Sequence, residues 1–363
     1  MDSRAEAKQI PARKRKGKTM TSHNQHCPSR PTAATQRGLT LIELMVSLTI
    51  GLIMIGAIGM LFIGSSSARR EVQSSADAFE NARYATDLLT RELSLAGFYG
   101  AWTNPEGDAV TGIPCSNSPG AWESSMAIHV RGWNQDDEGP DCLPDDYKPQ
   151  TDVIFIQRVS TCEAGFGGCD DATPDQAYIQ VAECIDEANE DPKLGRIAGG
   201  DSPPAEGASE GEETPVSFTL KTKACGVETA RLRQFIRRLY YVNQDDVLSY
   251  VEIGPTGTTT VELVENIEQV QLRYAVDTTG EGSPDQFMLP ADISAAQWPN
   301  VVGVRLWLLA RSETESDRRP ADLEQVFVLD DMPTEGIDLS QAYRRSVAST
   351  YISFVSPTLR RAK

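Results

Sequence analysis

The chain has 363 residues, 34 Lys/Arg against 52 Asp/Glu, three histidines and a formal net charge of −18. That balance argues against unaided binding of DNA or RNA, because neutralising phosphates takes clustered cations. HExxH zinc chemistry is excluded as well, since His129 is the only histidine after residue 38, and no G-x-S-x-G elbow or P-loop occurs.

Residues 1–38 carry Arg4, Lys8, Arg13, Lys14, Arg15, Lys16, Lys18, Arg30 and Arg37 against Asp2 and Glu6, a net of +7 that leaves −25 on residues 39–363. Basic residues ahead of an apolar span keep that side cytoplasmic, so the chain beyond the span is expected outside the cytoplasm. Topology accounts for the Lys/Arg run at 13–18 better than nucleic-acid binding does. The span, Leu39–Ile63, offers 25 residues where about 20 cross a bilayer. Its one charge is Glu43. A carboxylate within a span costs roughly 2.5–3.5 kcal/mol on a lenient insertion scale, which marks it as functional. The plainer account is a side chain snorkelling to the cytoplasmic interface. A secretory signal peptide needs small residues after its apolar core, and Gly64-Ser65-Ser66-Ser67-Ala68 imitates them. The apolar run is too long for such a core, and an ordinary anchor gives no reason for Gly38 and Glu43 at this spacing.

Arg37-Gly38-Leu39-Thr40-Leu41-Ile42-Glu43-Leu44 resembles the processing motif of the type IV prepilin family: a basic residue, Gly, an aromatic or apolar residue, then Thr-Leu-Ile-Glu. The resemblance implies that a membrane aspartyl prepilin peptidase cuts after Gly38 and methylates the new amine of Leu39. It also implies that Glu43 pairs with the amino terminus of a neighbouring subunit, an attraction far stronger in lipid than in water. Leu39 stands where most members have Phe, and the leader is long; a start at Met20 would leave 19 leader residues.

Beyond the span, Val72, Ala76, Phe79, Ala82, Thr86, Leu89, Leu93 and Ala96 recur at steps of three and four, the stripe of an amphipathic helix. Glu80, Arg83, Asp87 and Arg91 form a flank of alternating charge, each pair contributing only about 0.2–0.5 kcal/mol. No proline interrupts residues 39–96, and Gly97 supplies a stop, so one helix of about 55 residues is expected. Gly51, Gly56, Gly59 and Gly64 weaken its apolar half but let other membrane helices approach closely.

Period-2 patterns follow. Ile267–Val276 places Val270, Leu272, Tyr274 and Val276 on one face and Gln269, Gln271 and Arg273 on the other; Val301–Leu309 alternates likewise. Weaker strands are expected at Val153–Val159, Ala177–Val181, Val216–Lys221, Leu232–Val242, Val247–Ile253, Gln325–Leu329 and Val347–Val355. The fold class is therefore α+β: a long N-terminal helix, its first half transmembrane, packed on antiparallel β-sheet. The expected organisation is a leader at 1–38, a transmembrane half at 39–64, an amphipathic half at 65–97 and a β-rich domain at 98–363. Asn134–Gln150 does not read as regular structure, and Asp186–Pro215 reads as a mobile insertion at 186–215. Paired arginines at Arg237-Arg238 and Arg344-Arg345 are the candidates for a basic patch, with an exposed strand face as the plainer reading.

Cys27 would leave with the leader. Six exported cysteines remain, Cys115, Cys142, Cys162, Cys169, Cys184 and Cys225, an even number in an oxidising compartment, and disulfides are favoured over zinc. Sequence leaves 15 pairings open, with Cys162–Cys169 the easiest local pair.

Later stretches resemble the PilW-type minor pilin family: Arg91–Phe98, Arg237-Arg238-Leu239-Tyr240-Tyr241-Val242, Leu263–Glu268 running into Gln271–Tyr274, and Tyr343-Arg344-Arg345. The resemblance implies a pilin-like fold and a low-abundance subunit that primes type IV pilus assembly and sits near the tip, serving twitching motility or adhesion. The implied partners are the prepilin peptidase, other minor pilins, the major pilin, the inner-membrane assembly platform and a large tip adhesin. The implied location is the inner membrane, single-pass with a periplasmic C-terminal domain, then the fibre. A J-type pseudopilin of type II secretion is the alternative, and an anchored periplasmic enzyme the second. No cofactor is expected; Asp277, Glu281 and Asp285 look like a worn Ca²⁺ loop, although Asp-x-x-Gly between strands is more often a turn.

Overall fold

The computed structural model describes residues 38–103, 105, 115–117, 119–134, 137–187, 190–197, 215–315 and 343–361. By contacts the chain divides into two compact units, one ending at Leu61 and one beginning at Phe62. Helix α1 runs from Leu41 to Ser94, 54 residues, close to the length its pattern predicts. Its apolar half is exposed from Leu41 to Ile50 and from Leu52 to Ile58, and this is the one described helix long and apolar enough to cross a membrane. Gly97 ends it as expected, with φ +74° and its amide donating to the Gln157 carbonyl at 2.9 Å.

Two antiparallel sheets follow. The first joins β1 (Val130–Trp133), β2 (Val153–Val159), β3 (Ala177–Gln180), β4 (Lys193–Arg196), β5 (Leu232–Val242), β6 (Leu248–Gly254) and β7 (Gly257–Val264). β5 is its axis: β2 lies along one edge, and β3 and β6 share the other. The second sheet contains β8 (Ile267–Val276), β9 (Gln286–Met288), β10 (Val301–Arg311) and β11 (Arg345–Ser353), in the order β11-β10-β8-β9. The chain passes between sheets at Asn266, whose φ of +63° is a left-handed conformation that Asn tolerates. Two short helices, α2 (Pro119–Ser124) and α3 (Val355–Arg361), complete the fold.

The main core lies where α1 meets both sheets: Ala82, Ala85, Leu89 and Leu93 pack with Ile154, Tyr240, Leu272 and Leu306. The opposite face of the first sheet is closed by Trp133, Cys142, Leu143 and Tyr147, so the irregular 134–150 stretch is a lid on Phe155 and Leu239. Both faces of β2 are therefore buried.

Several expectations are corrected. The buried side of α1 is Ser74, Ala78, Ala82, Ala85, Leu89 and Leu93, whereas Val72 is 70% and Phe79 62% exposed. Ser74, Ala78, Ala82 and Ala85 have little side chain, so the helix backbone can come close to its neighbours there. Gln269 and Gln271 of β8 are buried like its apolar face, because the chain covers both sides of that strand. Val216–Lys221 is no strand; only Lys221 bridges to Thr229. The expected insertion contains β4, which pairs with β3 from Ala177↔Arg196 to Gln180↔Lys193. Gln325–Leu329, the leader with Cys27 and Met20, and residues 198–214 of the insertion lie outside the described residues.

This corrected stripe has a consequence for stability. Leu93→Ala should lower unfolding free energy by about 2–5 kcal/mol, while Phe79→Ala should stay within about 0.5 kcal/mol. Chemical denaturation of the detergent-solubilised protein checks both.

Candidate functional site

The processing segment is built by the first turn of α1. Thr40 precedes the helix, its carbonyl accepting the amides of Glu43 and Leu44 at 3.1 Å and its hydroxyl accepting the Glu43 amide at 3.3 Å. Thr40-x-x-Glu43 thus has the spacing of a capping box, and a carboxylate in the first turn suits the positive end of the helix. Among the described residues, however, no donor reaches the Glu43 carboxylate, which stands exposed among apolar neighbours. A Cβ on Gly38 would meet nothing within 4 Å, so packing within the chain does not require glycine there.

At its other end α1 is clasped to the first sheet. Glu92 Oε2 accepts from Arg158 at 2.8 Å, from Arg238 at 3.1 Å and from the Tyr240 hydroxyl at 3.1 Å. Arg238 continues to Glu252 at 2.9 Å and lies over the Tyr250 ring. Burial pushes the Glu92 carboxyl up, but the Arg158 hydrogen bond and the charges of Arg158 and Arg238 outweigh it and hold the carboxyl below its ordinary value. Two segments recognised separately in sequence, 91–98 and 237–242, are therefore two halves of one contact. The other two segments also meet: Arg345 donates to Glu268 at 2.9 Å, and Arg344 pairs with Glu71 of α1.

The expected basic patch is thereby dispersed. Arg237 is buried between Trp122 and Phe155 and donates to the Ser116 carbonyl at 2.7 Å, while Arg238, Arg344 and Arg345 hold carboxylates. Period-2 reading assumes one wet face, and β5 has none at Arg237.

The turn after α1 is braced by α3. Arg360 donates to the Gly97 carbonyl at 3.0 Å, and Gly97 abuts His129, where a Cβ would come within 2.9 Å of the His129 Cβ. His129 Nε2 donates to the Val301 carbonyl at 2.7 Å. Burial, aided by the Arg360 charge, pulls its pKa down to about 4.

In the acidic loop, Asp277 accepts the amides of Gly280 at 2.6 Å and Gly282 at 2.8 Å, and Arg361 at 2.7 Å. Asp285 accepts the Thr278 amide and hydroxyl at 2.7 and 2.8 Å, and Glu281 is exposed. Both aspartates already serve amide, hydroxyl and guanidinium donors, an arrangement that closes a turn. The six cysteines pair as Cys115–Cys142, Cys162–Cys169 and Cys184–Cys225, with Cα separations of 5.3, 5.8 and 4.9 Å.

Two acid-sensitive windows follow from these groups. Between pH 6.5 and 4 the unfolded chain protonates His129 and the native chain does not, so stability falls there by about 3 kcal/mol. The Glu92 contribution is whole above its ordinary pKa of 4.5 and is lost as pH drops through the lowered native value. Denaturation midpoints measured from pH 7.5 to 3 should lose the upper step in His129→Gln and the lower step in Glu92→Gln.

Residues 212–355 match the family described as Type IV Pilus-assembly protein W, and residues 34–59 match the Prokaryotic N-terminal methylation motif. No curated protein and no solved structure matches the chain. The first match contains the Arg237–Val242, Leu263–Glu268 and Tyr343–Arg345 segments, and the second contains Gly38, Leu39 and Glu43. One apolar N-terminal helix thus joins a type IV pilin methylation motif to antiparallel β-sheet, and the chain carries a PilW-type domain over residues 212–355.

Proposed function

We propose that this minor pilin is cut after Gly38, methylated at Leu39 and inserted with its β domain in the periplasm, where it primes pilus assembly and stays near the tip. The observation that carries the reading is Glu43: a carboxylate in an apolar helix, without a partner among the described residues, next to the motif that generates a new amine. A neighbouring subunit brings that amine as an ammonium, and in a low-dielectric setting the pair is mutually stabilising. The net +7 of residues 1–38 supports the orientation. A start on the inner-membrane assembly platform beside other minor pilins and the major pilin accounts for a prepilin-type helix joined in sequence to a large, individual domain. A domain of this size is also more easily housed once at a fibre end than repeated along it. From there it would support twitching motility or adhesion, with a large tip adhesin among the partners.

Mass spectrometry of the membrane-extracted protein should find methylated Leu39 as the first residue. An intact leader in cells with active prepilin peptidase, or cleavage near Ser67, contradicts the reading.

Glu43→Ala should leave insertion and folding intact, since removing a charge from lipid eases insertion by roughly 2.5–3.5 kcal/mol. Surface pili should nevertheless drop strongly at normal protein level, because a neighbour's ammonium is stranded at a cost of about 3–5 kcal/mol. Counting pili in a strain whose only minor pilin of this type carries Glu43→Ala checks it; wild-type piliation would end the ion-pair account.

A further inference from the structure

The outer face of the second sheet gathers aromatic and basic side chains. β10 places Gly303, Arg305 and Trp307 there, across from Ser353, Tyr351 and Ser349 of β11. β8 sets Ala275 beside Gly303 and Arg273 beside Arg305, and β9 adds Phe287 beyond Ala275. Phe287 and Tyr351 are each 40% exposed, Arg305 is exposed and Trp307 is half-buried.

These groups are gathered. Phe287 meets Tyr351 edge-on with centroids 5.8 Å apart, and the Arg305 guanidinium lies 4.8 Å from Phe287 and 5.8 Å from Trp307. Gly303 permits the closure, since a Cβ there would come within 2.5 Å of the Tyr351 hydroxyl. Charge is equally selective. Among the described residues no carboxylate pairs with Arg305, whereas Arg158, Arg238, Arg345 and Arg361 each hold one. No acidic side chain stands in these rows of the face, although the chain as a whole is at −18. Exposed aromatic residues grouped around an arginine are the composition of binding surfaces, and scattered exposure would need no such explanation.

We propose that this face binds an acidic polysaccharide, with Arg305 taking a sugar carboxylate and Phe287, Trp307 and Tyr351 taking pyranose faces. A guanidinium fork matches a carboxylate in two parallel hydrogen bonds. The negative faces of aromatic rings attract the weakly positive C–H side of a sugar ring, and Ser349 and Ser353 bring hydroxyls to the same surface. A single-stranded nucleic acid, whose bases also stack on aromatic rings, is the rival ligand, and the comparison with oligo-dT separates the two. The site stands on β8–β11 alone, so it neither requires nor tests the priming role.

Calorimetry on the full-length chain in neutral detergent tests it, with oligogalacturonate as the probe and dextran oligomers and oligo-dT of similar length as comparisons. Saturable binding of oligogalacturonate is expected, weakening with salt, with none for dextran. Arg305→Gln and Tyr351→Ala should each weaken it about tenfold or more. Both side chains reach solvent, and unchanged denaturation midpoints separate lost binding from lost fold. Absent saturable binding, affinity unchanged in both variants, or tighter binding of oligo-dT would overturn the proposal.

Discussion

A carboxylate in the last turn of a helix is in the wrong place by local electrostatics, because the carbonyl end of the helix repels it by about 0.3–1 kcal/mol. Glu92 occupies that position in α1 with its side chain three-quarters buried. What makes the position tolerable is tertiary: Arg158 from β2 with Arg238 and Tyr240 from β5. Losing a partner would leave charge buried without compensation, so the contact specifies where the helix ends on the sheet more than it adds net stability. The buried stripe from Ala78 to Leu93 can then close on both sheets in one register.

The same economy governs cations elsewhere. Arg344 meets Glu71, Arg345 meets Glu268, Arg361 meets Asp277 and Arg233 meets Glu163, each joining segments distant in sequence. Arginine suits this use because its fork engages a carboxylate without needing deep desolvation. A chain at −18 that pairs these arginines internally keeps an acidic exterior, on which Arg305 presents an exposed cation.

Much of this was legible from residue order. α1, β2, β5, β8 and β10 declare themselves because long periodic runs leave little alternative. The motif at 37–44 is local, so its chemistry can be read without any fold. What escaped depends on distance. Glu92 is conspicuous in sequence, but its partners lie 66, 146 and 148 residues away. The buried side of α1 follows the expected stripe at Ala82, Leu89 and Leu93 but departs from it nearer the membrane, where Val72 and Phe79 are exposed and the small residues Ser74 and Ala78 face inward. β4 hid inside a Gly- and Pro-rich stretch because its four residues are held by β3 and not by their own propensity. Of three disulfides only Cys162–Cys169 could be read locally, the others closing separations of 27 and 41 residues.

The most direct test of the clasp is a double-mutant cycle between Glu92→Gln and Arg238→Gln, read as unfolding free energy of the detergent-solubilised chain. A shared, half-buried carboxylate predicts that the two changes are strongly non-additive, with a coupling of about 1.5–3 kcal/mol. A coupling within about 0.5 kcal/mol, the level of an exposed surface pair, would contradict the claim that this contact fixes the helix to the sheet.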